Sequence, residues 1–310
     1  MSAHALPFQD VSVFIPKPVI TLTANPLAEF TLKTPLWNAG KTVRAHSHSF
    51  QFGGKGLNVA KMAARLGHPT TAIHFSGGHL GEKCTCSIQD QAYRSIAIPT
   101  EWETRIGFVV RTENTAETTF LGPDQPVSLS DWKRMLEAVQ TQEPASVIVC
   151  GSIPDFSPAH SECFASFFEQ WKSVGHYLFL DTYGPPLKAL ATLPFDQIKI
   201  NRHEWNLLHL EDLNHEQPDF RQLPNNEPNS WIITNGPNTI YVWNRATGPL
   251  EYTPPKISCE VSPTGSGDVF LATLQHALAT NPDLYSAIEL ASDYAARNAS
   301  QSTIAEFPLS

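Results

Sequence analysis

Short β-branched runs alternate with helix-length amphipathic patterns along most of this chain, and that alternation admits few architectures. Residues 19–24, 70–75, 108–112, 146–150, 177–181, 197–200, 231–234 and 239–243 have strand length and are bounded by Gly, Pro, Asn or Asp. Helical patterns lie between several of them. Residues 57–66 place Leu57, Val59, Ala60, Ala63, Ala64 and Leu66 at helical spacing, with Gly67 as the stop. Residues 130–141 begin with Ser130 as N-cap and present Trp132, Met135, Leu136 and Val139. An aromatic-rich helix is expected over 158–174, and a final helical pair over 268–280 and 282–301. Strands joined through helices imply crossover connections, hence an α/β fold with a mainly parallel sheet.

Two stretches break the alternation. Residues 29–52 and 104–121 read as irregular strands, polar on one face, which could form a small second sheet over the main one. Residues 211–230, rich in Pro and Asn, read as a surface loop. A chain of 310 residues allows two domains or one large α/β unit, and 41% hydrophobic residues suffice for a substantial core.

Charge and composition exclude several classes. With 21 Lys and Arg against 30 Asp and Glu, the net charge of -9 argues against a nucleic-acid surface spread over the molecule, though a local pocket for a small anion stays open. No segment approaches the ~18 uncharged apolar residues of a membrane helix. The start, MSAHALPFQD, lacks the basic and apolar stretches of a secretory signal. Cys84, Cys86, Cys150, Cys163 and Cys259 are scattered without a CxxC pair, so they read as reduced thiols of a cytoplasmic protein.

Chemistry concentrates in two glycine-rich turns. Gly53-Gly54-Lys55-Gly56-Leu57-Asn58 precedes the first helix; glycines let a ligand approach the backbone, and the helix start offers free N–H groups. Lys55 adds a point charge and Asn58 a donor and an acceptor. The same spacing also suits an ordinary tight turn. Pro263-Thr264-Gly265-Ser266-Gly267-Asp268 precedes the helix at 268, and the N–H groups of Gly265, Ser266 and Gly267 can converge as a nest for an anion. Asp268 is either a cap or a general base. The P-loop pattern GxxxxGK[ST] is absent.

Together, GGKGLNVAKMAARLG and PTGSGDVFLATL resemble the two signatures of the PfkB (ribokinase-like) carbohydrate kinases. Thr21-Leu22-Thr23-Ala24-Asn25-Pro26, Thr104-Arg105, Gly151-Ser152-Ile153-Pro154, Asp181-Thr182-Tyr183-Gly184 and Ile198-Lys199-Ile200-Asn201-Arg202-His203-Glu204 follow in the order of the 1-phosphofructokinase and tagatose-6-phosphate kinase branch. The resemblance spans roughly residues 19 to 305. It implies a three-layer ribokinase-like α/β fold in one domain over 1–310, with a β-sheet lid inserted at about 29–52 and 104–121.

The resemblance also implies roles. Asp268 matches the catalytic base, and Gly265, Ser266 and Gly267 match the anion hole. Asn201 and Glu204 match the NxxE motif that holds Mg2+ and its waters near the ATP phosphates, with Lys199 beside them; Thr234, Gly236 and Thr264 fall on the nucleotide side. Gly53, Gly54, Lys55 and Asn58 match the sugar-binding turn, and Arg105 the arginine used for a substrate phosphate. A homodimer through the lid is plausible on the same ground.

Some positions depart from the branch pattern. Asn-Pro-x-x-Asp ends here in Glu29, where the branch's aspartate holds sugar hydroxyls; Gly-Ser-Leu-Pro-Pro-Gly becomes Gly151-Ser152-Ile153-Pro154-Asp155-Phe156; and Phe120-Leu121-Gly122-Pro123-Asp124 brings an extra carboxylate that would repel a phosphate. The second glycine of the nucleotide turn is missing from Thr234-Asn235-Gly236-Pro237-Asn238-Thr239. The expected activity is ATP-dependent phosphorylation of a sugar or sugar-phosphate hydroxyl. A kinase for an unphosphorylated sugar or nucleoside, and a non-catalytic sugar- or nucleotide-binding regulator, are the alternatives.

Overall fold

The computed structural model describes residues 18–112, 117–209, 217–220, 223 and 228–309. In chain order the strands are β1 (Val19–Thr23), β2 (Leu27–Thr34), β3 (Ser47–Gly53), β4 (Thr70–Ser76), β5 (Arg94–Pro99), β6 (Arg105–Thr112), β7 (Thr118–Leu121), β8 (Ser146–Cys150), β9 (Tyr177–Asp181), β10 (Gln197–Asn201), β11 (Ser230–Asn235), β12 (Asn238–Asn244) and β13 (Gly248–Tyr252). The helices are α1 (Lys55–Arg65), α2 (Gly78–Ser87), α3 (Leu129–Gln140), α4 (Pro158–Ser173), α5 (Pro185–Leu190), α6 (Arg202–His209), α7 (Ser266–Thr280) and α8 (Leu284–Ala299).

Nine strands form one sheet in the order β13-β12-β11-β10-β9-β8-β1-β4-β5. It is parallel except that β12 runs antiparallel to β11 and β13 antiparallel to β12. Alternate residues of its strands serve different helical layers, as a period of two requires. On β8, Val147 and Val149 join Trp132 of α3 and Phe164, Phe168 and Trp171 of α4 in one core, while Ile148 and Cys150 join Val59 of α1 and Val269 of α7 in another. Each fully buried large side chain there contributes on the order of 1.5–3 kcal/mol.

Four strands, in the order β3-β2-β6-β7, form the separate lid sheet. The strand expected at 108–112 is β6, extended back to Arg105, and it lies in this smaller sheet, as expected for residues 104–121. Its pleat carries Phe30, Phe50 and Phe108 on one face, where Lys83 of α2 lies 4.8 and 4.5 Å from the Phe30 and Phe50 ring centroids. Buried Glu29 and Thr31 lie on the opposite face. No helix among the described residues is long and apolar enough to cross a membrane.

Several boundaries differ from the sequence reading. Ser128, not Ser130, caps α3: its Oγ accepts from the Asp131 N–H at 3.1 Å. Helix α1 starts at Lys55 because Gly54 takes the cap position at φ 142°. Strands β5 and β13 and helices α2, α5 and α6 lie outside the sequence expectation; α2 (GHLGEKCTCS) carries two glycines and buries only Gly81 and Cys84, which leaves little periodic signal. The surface loop expected over 211–230 lies largely outside the described residues.

The parallel strands end together. Thr23, Cys150, Asp181 and Asn201 close β1, β8, β9 and β10 at the edge from which the chain leaves β1 for the lid. The N-termini of α1 and α7 open at this edge, the usual ligand position in an open α/β sheet.

Candidate active site

Glycines let the two turns close on one another. Gly54 stands at φ 142°, and a Cβ there would lie 2.7 Å from Thr23 Cγ2; a Cβ on Gly56 would run into Thr23 Oγ1. Gly265 is left-handed at φ 77° and caps α7. A Cβ on Gly267 would come within 2.8 Å of Lys199 Nζ. Helices α1 and α7 thus pack with their starts side by side, and Asn58 Nδ2 donates to Asp268 Oδ2 at 2.7 Å across 210 residues of sequence.

A charged cluster lies beneath. Asp181 is fully buried, with Lys55 Nζ 2.7 Å from its Oδ1 and Lys199 Nζ 3.0 Å from its Oδ2. Lys55 also reaches Glu204 Oε1 at 3.6 Å. Burial alone would raise Asp181, but the two ammonium groups outweigh it and hold the carboxyl below its ordinary value. Burial would likewise discharge Lys55; Asp181, Glu204 and Asp268 reverse that and keep it charged. Asp268 goes the other way. Burial first, then the Asp181 charge, push its carboxyl up to about 6, against the pull of Lys55, Asn58 and Lys199.

The Ser266 N–H donates to the Pro263 carbonyl at 3.1 Å, closing a turn. The N–H groups of Gly265 and Gly267 have no backbone acceptor among the described residues. Asn298 of α8 braces the turn: its Nδ2 donates to Thr264 O at 3.0 Å and Ser266 Oγ at 3.1 Å, and its Oδ1 accepts from the Ala305 N–H at 2.8 Å. The Thr264 hydroxyl, expected on the nucleotide side, donates to Glu117 Oε1 of the lid at 2.6 Å. Glu117 Oε2 accepts from Ser262 Oγ and from Arg111 Nε, both at 3.1 Å. Arg111 in turn donates to the Ser302 carbonyl at 2.6 Å.

A cavity of about 650 Å3 runs past this cluster. Gly54, Lys55, Asn58, Lys199, Asn201, Thr234, Gly236, Thr264, Gly265, Ser266, Gly267 and Asp268, all expected site residues, line it. Ile240, Pro254, Pro255, Ile257 and Phe270 make one part of its wall apolar. Glu204 stands just behind Lys55. Asn201 and Glu204 cap one another: the Glu204 N–H donates to Asn201 Oδ1 at 2.9 Å and the Asn201 N–H to Glu204 Oε2 at 2.8 Å. That leaves Glu204 Oε1, which faces Lys55 Nζ at 3.6 Å, as a hard oxygen donor beside a residue of the cavity wall, which fits an ion held mostly through its own waters. No cluster of three or more His, Cys, Asp or Glu suited to a metal occurs among the described residues.

The remaining expected residues lie toward the lid. Glu29 accepts from Gln51 Nε2, and Gly53 follows on the same strand as Gln51. Burial pushes Glu29 above its ordinary value, opposed by Gln51 and Arg111. Arg105 starts β6 and donates to Asp124 at 2.7 Å. Sequence reasoning gave no role to Asp181, Asn298 or Glu117. Asp181 had a signal, an acid at the end of an apolar strand; Asn298 and Glu117 had none, because their partners lie 34 and 147 residues away.

The model of the pfkB family carbohydrate kinases matches residues 18–308. The chain is 29% identical over 188 residues to a 1-phosphofructokinase from Bacillus subtilis (strain 168), a match covering 60% of each. A mutant of phosphofructokinase-2 from Escherichia coli superposes with a TM-score of 0.82 at 22% identity, covering 92% of this chain and 94% of that one. A ribokinase from Thermotoga maritima gives 0.72 at 16% identity, covering 93% and 94%. These structures share the three-layer fold with its large parallel sheet and small second sheet. The family match over nearly the whole described length, with both glycine turns in place, shows that this chain belongs to the pfkB family of carbohydrate kinases.

Proposed function

We propose that this protein acts as one kinase domain that transfers the terminal phosphoryl group of ATP to a hydroxyl of a sugar or sugar phosphate, on the plan of a 1-phosphofructokinase. The observation that carries the reading is Asp268, a buried carboxylate at a helix start, held by Asn58 and poised at about 6 beside two lysines.

In this reading Asp268 accepts the proton of the attacking hydroxyl. Its raised value makes it a stronger base than an ordinary carboxylate while leaving it ionised at neutral pH. The Gly265 and Gly267 N–H groups face the charge that develops on the transferred group, and Lys199 lies close under Gly267. Lys55, kept charged by Asp181, supplies positive potential along the cavity. The apolar stretch near Ile257 and Phe270 suits a nucleobase, and Thr234 and Gly236 border it. Mg2+, held through Glu204 and Asn201, would neutralise ATP phosphate charge. Glu29, Gly53, Gly54 and Asn58 orient the acceptor. Exposed Leu36, Phe120 and Leu121 on and beside the lid suit a homodimer contact.

The test is ATP consumption with Mg2+ over a panel of sugars, sugar phosphates and nucleosides. Turnover of at least one is expected. Silence across the panel with ATP still bound would instead indicate a regulatory binding protein. The pH profile carries a second expectation. A base raised to about 6 is ionised above that value, so kcat/KM should be level near pH 7–8 and fall about tenfold per unit well below about 6. An acid limb centred near 4 would remove Asp268 from the role.

The lid strap makes a separate expectation. Charge-assisted bonds that Glu117 accepts from Arg111, Thr264 and Ser262 tie the lid to the loop that forms the nest. Glu117→Ala should loosen closure and admit water, raising acceptor-independent ATP hydrolysis by roughly three- to tenfold and the acceptor KM by a similar factor. Hydrolysis unchanged from wild type would show that the strap does not control closure.

A further inference from the structure

We propose that Asp124 occupies the acceptor-side anion position of this kinase and selects an acceptor whose end at that position is uncharged and hydroxyl-bearing instead of phosphorylated. The proposal rests on the kinase reading above and decides within it between a free sugar and a sugar phosphate.

Three segments converge on this point: the turn after β1, the start of β6 and the turn after β8. Arg105 Nη1 and Asn25 Nδ2 both donate to the same oxygen, Asp124 Oδ1, each at 2.7 Å. Asn25 Nδ2 also lies 2.7 Å from Ser152 Oγ, and Arg105 Nη2 lies 3.4 Å from the Asn25 carbonyl. Asn25 is buried, and the Arg105 side chain is 12% exposed, so neither is a loose surface group. The position lies at the same sheet edge as the cleft: Asn25 and Ser152 follow β1 and β8, and a Cβ on Gly151, next to Ser152, would lie 3.7 Å from Cβ of Lys55, a residue of the cavity wall.

A guanidinium and an amide N–H that meet on one oxygen form the kind of donor pair that an oxyanion binds, with the Ser152 hydroxyl beside them on Asn25. Here the chain supplies the oxyanion itself. Arg105 and Asp124 together carry no net charge, so the position no longer attracts an incoming anion. A phosphate arriving there would have to expel Asp124 or share one guanidinium with it, and like charges placed together are a strong means of rejecting a ligand.

A hydroxyl meets no such conflict. The ion pair is single-pronged: Arg105 Nε is buried without a partner, and Asp124 Oδ2 takes no hydrogen bond from the described residues. That free oxygen can accept from a sugar O–H. The 54% exposure of the Asp124 side chain leaves it reachable.

The experiment compares wild type with Asp124→Asn on matched pairs, fructose and ribose against their phosphate esters, by steady-state kinetics. Calorimetric titration with inorganic phosphate accompanies it. Wild type should favour the free sugar in kcat/KM, and the variant should shift the ester-to-sugar ratio toward the ester by about tenfold or more. Inorganic phosphate should bind the variant about tenfold more tightly than wild type. Wild-type preference for the esters, or a ratio that moves less than about twofold in the variant, overturns the proposal. Should no acceptor turn over, the kinase reading fails on that result alone. Phosphate binding then still decides the role of Asp124: tighter binding in the variant supports it, and unchanged binding overturns it.

Discussion

Asp268→Asn is expected to lower kcat by roughly 10²–10⁴-fold, the span that a positioned general base contributes. The substitution keeps size and shape, and the new side-chain carbonyl can still accept from Asn58 Nδ2, whose present bond is 2.7 Å. The fold should therefore survive, with circular dichroism unchanged and the ATP dissociation constant within about threefold. The loss should fall on kcat, because the interaction removed is made as the hydroxyl gives up its proton. The acid limb should vanish from whatever activity remains. Initial rates on the best acceptor of the panel check this, and a variant keeping more than about a tenth of wild-type kcat would remove Asp268 from the chemistry.

Asp181→Asn should have the second large effect, on stability as well as on the site. The wild-type carboxylate is fully buried between Lys55 and Lys199, and its removal leaves two ammonium groups with Glu204 and Asp268 as their remaining counter-charges. Breaking a buried pair from one side costs about 3–5 kcal/mol. For a chain of this size that corresponds to a fall in Tm on the order of 10 °C. The sign with pH follows from the depressed carboxyl. Its contribution is present above the unfolded value of about 4 and is lost as pH falls through the lower folded value. The difference between wild type and variant should therefore be largest at neutral pH and shrink in acid. A second readout separates charge from packing. Asp181 raises Asp268, so its neutralisation lets Asp268 fall and moves the acid limb of kcat/KM to lower pH. Differential scanning calorimetry and the pH profile test the two halves, and a variant matching wild type in both would show that the Lys–Asp–Lys cluster is not coupled to the base.

Much of the fold was legible because its causes are local. The apolar runs of β1, β8, β9 and β10 are nearly uniform because these strands are covered on both faces. The starts of α1 and α7 could be read because each needs glycine in a conformation or a contact that other residues do not tolerate. Where the local signal was weak, the reading failed. Ser128 and Ser130 are both plausible caps, and only the backbone path decides that Ser128 accepts from Asp131.

The sequence by itself determined the α/β class, the two glycine turns, the lid segments and the set of polar residues that could serve the site, because periodicity and turn chemistry act between near neighbours. The tertiary structure alone decided how those residues pair. It placed Asp181 between Lys55 and Lys199, gave the Ser266 N–H to Pro263, tied Glu117 to Thr264 and set Asp124 on Arg105. Charge and burial act through space, and a residue's sequence position does not reveal which partner folding brings within 3 Å.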